Sequence, residues 1–371
     1  MRVRLDKIAS STRNVELHRD VVVGGNIPAE AGVVIAARVL DNKATYNNVE
    51  DTHGRMMRIQ KGDIIAGVLG SRQALRGYAG IVPPTVDAGD TLHLLNLGGV
   101  IGLCNSANPE LGPPCRVEVL GAVQSFPELG RRVGRPASIF PGHIPLAETL
   151  PTEMPPVVLV AGTCMHAGKT AASCLLIREA SQRGMKVSAA KVTGVALRSD
   201  TLEMRDHGAG EVVTFCDAGF PSTDGIDTAP IAKGCLRALQ ADKPDLIIVE
   251  LGDGLLGSYG VREILDDPAI QGLTGTLVIA ATDPVAAWGG SELLSQTGWY
   301  PSVITGPATD NSSGVDRIEE LCALRAINAR KDPTAFAGAI LEAIEGSILG
   351  SPIQRTNSAR PSTPLAAGLS S

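Results

Sequence analysis

Pro156-Val-Val-Leu-Val-Ala-Gly-Thr-Cys-Met-His-Ala-Gly-Lys-Thr170 carries the plainest chemistry in this chain. Val157 to Ala161 is an unbroken apolar run, rich in β-branched residues, of the length expected for a buried parallel strand. Gly162 to Gly168 is a glycine-bounded loop, and from Lys169 onward Ala171, Cys174, Leu175 and Ile177 recur at helical spacing up to Gly184. Strand, glycine loop, Gly-Lys-Thr and helix together make a phosphate cradle. Backbone N–H groups of Gly162, Thr163, His166, Ala167, Gly168 and Ala171 surround an anion, Lys169 balances the outer phosphates, and the Thr170 hydroxyl ligates Mg²⁺. His166 either touches phosphate or substrate, or faces solvent.

Further charged residues gather where the pattern puts strand ends. Glu250 closes Leu246-Ile-Ile-Val-Glu-Leu251, the strongest apolar run, and precedes Gly252-Asp253-Gly254. Ligands of doubly wound sheets collect at such ends. An acid there holds Mg²⁺ opposite Thr170, directly or through water, or else caps a turn. Lys191-Val-Thr-Gly194 ends the next strand at the same edge; its lysine is a second cation for the site or a solvated terminus. Phe220-Pro-Ser-Thr-Asp-Gly225 has the groups of a mobile substrate loop. Arg72, Arg76 and Tyr78 are either contacts for an anionic substrate or parts of a solvated loop.

The order Gly162-Thr-x-x-x-x-Gly-Lys-Thr170 resembles the loop of dethiobiotin synthetase and its P-loop relatives. Dimeric regulatory ATPases of the same superfamily carry a second lysine where this chain has Cys164, so the likeness leans toward the ligases. Ile248-Val-Glu-Leu-Gly-Asp-Gly254 is similar to the ligase segment whose glutamate binds magnesium, although Leu251 here precedes the glycine. The resemblance implies ATP and Mg²⁺ as cofactors and Lys169 and Lys191 as catalytic cations. In it Lys191 faces the reacting phosphoryl and carboxyl groups, without the proline that follows the lysine in that family. It also implies an aspartate after Lys191 as a further metal ligand beside Thr170 and Glu250. Asp206 is the first choice and Asp200 the second. Gly306 and Pro307 stand where the relatives place the adenine, and no Asn/Thr-Lys-x-Asp guanine motif is present.

These groups need elements to hold them. Downstream of residue 156 strand and helix patterns alternate, which implies βαβ units on a mainly parallel sheet. Before residue 130 short apolar runs alternate with turn signals, as in Val33-Val-Ile-Ala-Ala-Arg-Val-Leu40, and twice Gly-Asp precedes such a run. Leu97-Gly-Gly-Val-Ile-Gly-Leu-Cys104 is a second glycine-rich binding loop or a strand hugging another backbone. The expected fold class is α/β: a three-layer P-loop nucleotide-binding domain with a mainly parallel sheet, preceded by a β-rich amino-terminal domain, a small barrel or sandwich. The boundaries are 1–130 for the β-rich domain, 131–155 for a linker rich in proline and glycine, 156–346 for the P-loop domain and 347–371 for a disordered tail.

Composition narrows the partners. The 371 residues carry a net charge of -6 with no basic block, which argues against a nucleic-acid surface. No run reaches the roughly 18 apolar residues of a membrane span, and Met1-Arg-Val-Arg-Leu-Asp-Lys7 lacks a signal core. The seven cysteines are scattered and odd in number, as in a reducing compartment. The expectation is a cytoplasmic, homodimeric enzyme that uses Mg-ATP to activate the carboxylate or carbamate of a small anionic substrate, an amino or carboxylic acid. It acts as ligase or phosphotransferase. The alternative is an NTP-driven switch or metallochaperone acting on a protein partner.

Overall fold

The computed structural model describes residues 1–127 and 133–348. The amino-terminal part belongs to an eleven-stranded, mostly antiparallel sheet that closes on itself. Val34–Val39 pairs with Ile64–Leu69 and with Cys115–Ser125, and Ile64–Leu69 runs parallel to Val100–Ala107. Thr91–Leu94 then joins Val100–Ala107 back to Cys115–Ser125. The ring is a small barrel, so its apolar strands have no open edge. Ile35, Ala37, Ile65, Leu69, Ile101 and Val117 form its inner core. The alternate residues Val34, Ala36, Ala66, Val68 and Val100 are buried too, in a core shared with Leu159, Val192 and Phe215 of the second sheet. Covered on both faces, Ile64–Leu69 reads as an unbroken apolar run, whereas Cys115–Ser125 keeps an alternation.

The second sheet has seven strands: β1 (Val157–Gly162), β2 (Val187–Thr193), β3 (Val212–Thr214), β4 (Leu246–Leu251), β5 (Gly275–Ala280), β6 (Val303–Thr305) and β7 (Arg325–Ala326). Neighbours are all parallel, in the order β3-β2-β4-β1-β5-β6-β7. The helices that matter to the site are α1 (Lys169–Gln182), α2 (Ser199–Asp206), α3 (Ala229–Gln240), α4 (Pro284–Gln296) and α5 (Pro333–Ile348). In β1, Val158 and Val160 share a core with Leu176 and Ile177 of α1 and Phe336 and Ile340 of α5. Val157, Leu159 and Ala161 point the other way, into the core containing Leu236 of α3 and Ala287 of α4. Helices therefore cover both faces in three layers, as the period of two along β1 requires. This is a P-loop nucleotide-binding domain behind a β-rich amino-terminal domain. The chain leaves β1 through α1 and passes over β4 to reach β2, so the sheet's switch point opens at the end of β1.

The connection at 131–155 differs from a free linker over the residues described. Arg135–Pro136 pairs with Cys115–Ser125, and Ala137, Ile139, Ile144 and Ala147 are buried. The Ile144 N–H donates to Asp217 O at 3.0 Å and that of Ala147 to Pro230 O at 3.1 Å. Proline and glycine here shape a packed strap, a use that composition alone does not separate from a linker. The tail expected from 347 falls largely outside the described residues; 347 and 348 end α5.

Several bonds cross the seam between the domains. Glu50, 0% exposed on Asn48–Glu50, accepts from the Ser10 hydroxyl at 2.5 Å and from the N–H groups of Arg198 and Ser199 at 2.6 and 2.7 Å. A barrel carboxylate thus caps α2. Asn96 Nδ2 donates to Ala196 O at 2.5 Å. A Cβ on Gly98 would stand 1.9 Å from that carbonyl oxygen, so Gly98 lets the two backbones meet. The glycine-rich stretch 97–104 is accordingly a close-packed turn and strand. Only Leu97 of it reaches the site described next.

Candidate nucleotide site

The loop after β1 is shaped by residues that other types would not replace. Gly168 caps α1 with φ 98°, and His166 has φ 63°. A Cβ on Gly162 would meet the Lys169 stem at 2.8 Å, so the missing side chain makes room for the lysine to fold back over the loop. Lys169 Nζ donates to Cys164 O at 2.9 Å and to Asp253 O. Burial lowers its pKa, against the pull of Glu250. Ala167 is fully buried, with its carbonyl oxygen 2.3 Å from where a Cβ on Gly306 would stand, and the Thr163 N–H donates to Ala280 O at 2.9 Å.

Sheet register sets the second row. Val160 of β1 is level with Glu250 of β4, and Glu250 with Lys191 of β2. Neighbouring parallel strands are about 4.8 Å apart, so these side chains meet. Lys191 Nζ lies 3.2 Å from Glu250 Oε1 and pairs with Asp200 of α2. Burial opposes its charge, but the Asp200 and Glu250 carboxylates outweigh that and raise its pKa. Thr170 Oγ1 donates to Glu250 Oε1 at 3.1 Å. Glu250 is 1% exposed and its Oε2 has no hydrogen-bond partner among the described residues.

Among the described residues no three His, Cys, Asp or Glu side chains gather as a metal cage. Mg²⁺ requires none, since it keeps waters and phosphate oxygens and uses one or two carboxylates. The unpaired Glu250 oxygen beside the Thr170 hydroxyl fits such a cation. Asp206 does not: it lines a separate surface pocket with Arg178, Ser181 and His207. Asp200 is in the first turn of α2, and Asp206, six residues on, is about 9 Å further along the axis. The structure therefore brings Asp200, not Asp206, to the P-loop.

Lys169, Thr170, Ala171, Lys191, Asp200 and Glu250 open on one cavity of about 800 Å³. Its opposite wall comes from the barrel domain, with Tyr46, Arg72, Arg76 and Asn96. Arg72 is buried, so it is no solvated loop residue, whereas Tyr78 is a core side chain that accepts from Lys43 at 2.8 Å. The segment 220–225 is packed away from this cavity, with the buried Thr223 bonded to Tyr259 O at 2.8 Å. A smaller space of about 100 Å³ adjoins it, shares His166, Gly168 and Ala171, and is walled by Gly306, Pro307, Asp310 and Asn328. Gly306 and Pro307 thus stand beside the loop.

Asp253 sits between Gly252 and Gly254, a sequence context typical of an ordinary turn. It is 7% exposed, lines the larger cavity, and neither carboxylate oxygen has a hydrogen-bond partner among the described residues. Burial raises its pKa against the opposing pull of Lys169. With a raised folded value, stability falls as pH climbs from the unfolded carboxylate range near 4 through that value. Asp253→Asn is expected to stabilise the protein by on the order of 1 kcal/mol at about pH 8 and to flatten this decline. Urea unfolding at about pH 5 and pH 8 measures it. Lower stability of the variant at the higher pH would mean that the charge is satisfied.

No protein-family model and no curated protein matches this sequence. Solved structures do. The signal recognition particle 54 kDa protein from Aeropyrum pernix, in complex with GDP, is 18% identical over 53% of this chain and 50% of its own, with a TM-score of 0.35. The signal recognition particle receptor FtsY from Elizabethkingia anophelis is 15% identical over 52% of this chain and 67% of its own, at 0.36. A DUF1611 family protein from Anabaena variabilis is 15% identical over 54% and 63%, at 0.37. The chain thus spans about half of the first of these structures and up to two thirds of the others. At these values the fold assignment rests on the strand order and loop geometry above. No helix among the described residues is long and apolar enough to cross a membrane.

Proposed function

We propose that the protein binds Mg-ATP at the P-loop and transfers the γ-phosphoryl group to the carboxylate or carbamate of a small acid. The reaction ends there or continues by passing the acyl group to a nucleophile. The observation that carries this reading is Lys191, a second, partly buried cation level with Glu250, on the same cavity as Lys169. Two anions must approach each other in such a transfer, and a lone P-loop lysine balances only one. An acceptor oxygen attacks the γ-phosphorus, the bond from that phosphorus to the β–γ bridging oxygen breaks, and ADP leaves with its electrons. If a nucleophile follows, it attacks the acyl carbon and phosphate departs. Mg²⁺ held by Thr170 and Glu250, with Asp200 within the same cluster, neutralises phosphate charge when bound. The resemblance of the loop and of Glu250 to dethiobiotin synthetase supports a ligase-like course.

The test is ADP release in the presence of amino and carboxylic acids, with hydroxylamine added to trap an acyl phosphate as the hydroxamate. Acid-dependent ADP release accompanied by hydroxamate is expected. ADP release indifferent to every acid but stimulated by a protein partner would replace this reading with the switch.

A further inference from the structure

Two buried charged residues on opposite walls of the large cavity keep side-chain atoms without partners. On the barrel side Arg72, 7% exposed, donates through Nη1 to Tyr46 Oη at 2.7 Å and to Leu95 O, while its Nε has no hydrogen-bond partner among the described residues. The guanidinium is held firmly. Tyr46 lies 5.8 Å from it, ring centroid to Cζ, and a Cβ on Gly77 would come within 2.8 Å of Nη2. On the P-loop side stands Asp253, equally buried, with both oxygens unpaired. Neither Asp253 oxygen accepts a hydrogen bond from Arg72, although the two residues are of opposite sign and equally buried. An unpaired buried donor or acceptor is costly unless a ligand satisfies it.

We infer that the barrel domain supplies half of the acceptor site, and that the acceptor is a small acid also carrying an N–H or O–H donor, of the amino- or hydroxy-acid type. The word acceptor rests on the transfer reading above; the recognition chemistry does not. Arg72 presents a planar fork that matches a carboxylate, and Asp253 accepts only from a donor. A simple carboxylate leaves Asp253 unpaired and adds a like charge to the cavity. An amine or alcohol without an acid leaves the Arg72 Nε without a partner. Selectivity of this kind, set by buried groups left without partners, is larger than shape alone provides. Arg76, exposed at the same wall, adds positive potential at the entrance.

The experiment uses the full chain with Mg-ADP and three sets of probes. The common amino acids with lactate and malate carry acid and donor; propionate and succinate carry acid alone; ethanolamine and ethylene glycol carry a donor alone. Thermal protection and, with Mg-ATP, ADP release are read for wild type, Arg72→Met and Arg72→Lys. At least one member of the first set is expected to protect at least tenfold more tightly than any of the others. Arg72→Met is expected to weaken that response roughly 10²-fold, with partial recovery in Arg72→Lys and Mg-ADP affinity within about twofold of wild type. Equal protection by propionate or ethanolamine, or no protection by any probe, would overturn the inference. So would a tenfold loss of Mg-ADP affinity in Arg72→Met, which would assign the guanidinium to nucleotide phosphates. Protection that follows the expected pattern without ADP release would sink the transfer reading and leave the recognition intact.

Discussion

Lys169→Ala is expected to lose at least about 10²-fold in Mg-ATP affinity, on the order of 3 kcal/mol. The Lys169 ammonium is 7% exposed and already gathered over the loop by Cys164 O and Asp253 O. Those two carbonyl oxygens are neutral partners for a cation whose burial lowers its pKa. A phosphate supplies the missing countercharge, so binding recovers what burial costs the lysine. Alanine removes both the charge and the stem for which Gly162 leaves room. Thr170→Ala is the informative companion, because it deletes only the hydroxyl beside Glu250 and should alter magnesium dependence more than nucleotide affinity. Isothermal titration measures both. Unchanged Mg-ATP affinity in a folded Lys169→Ala would remove the P-loop from the site.

Lys191→Ala is expected to lower acid-stimulated turnover by 10²-fold or more, about 3 kcal/mol of transition-state stabilisation, and to leave nucleotide affinity nearly intact. In the structure its ammonium is shared between Asp200 and Glu250. Thr170 and Glu250 would hold a divalent cation beside those carboxylates, and its charge would leave the Lys191 ammonium available to the transferring group. Its loss also leaves the buried Glu250 and the partly buried Asp200 without their cation, so the variant should be less stable, and its fold must be verified before its rate is read. Lys191→Arg is expected to rescue poorly, since a planar fork does not substitute for a compact charge between two carboxylates. Steady-state ADP release, with and without acid, decides the matter. Wild-type turnover in the alanine variant would take the residue out of the mechanism.

The parallel sheet was legible because its central strands, Val157–Gly162 and Leu246–Leu251 above all, are buried throughout and read as short apolar runs between helical spacings, whereas the edge pair Arg325–Ala326, with Arg325 exposed, carries no such signal. The loop was legible because phosphate binding fixes glycine, lysine and threonine at adjacent positions. Barrel closure was not, since it depends on Thr91–Leu94 pairing with two strands at once, and no local pattern encodes that. The metal-site aspartate was open between two residues of one acidic segment. Only the seating of α2 on Glu50, far off in sequence, turns Asp200 rather than Asp206 inward. Arg72 and Asp253 were ambiguous for the same reason: each is ordinary in its own segment, and becomes unusual when the seam buries both.

The bond from Glu50 to the start of α2 has a consequence for the barrel domain itself. The carboxylate that anchors this helix is four residues from Tyr46, on the cavity wall, and the helix it anchors carries the partner of Lys191. Occupancy of the phosphate end and local opening of Asn48–Arg58 are then linked free energies, and by reciprocity each biases the other. Amide hydrogen exchange in that hairpin should slow when Mg-ADP is present, although no residue of the hairpin belongs to the P-loop.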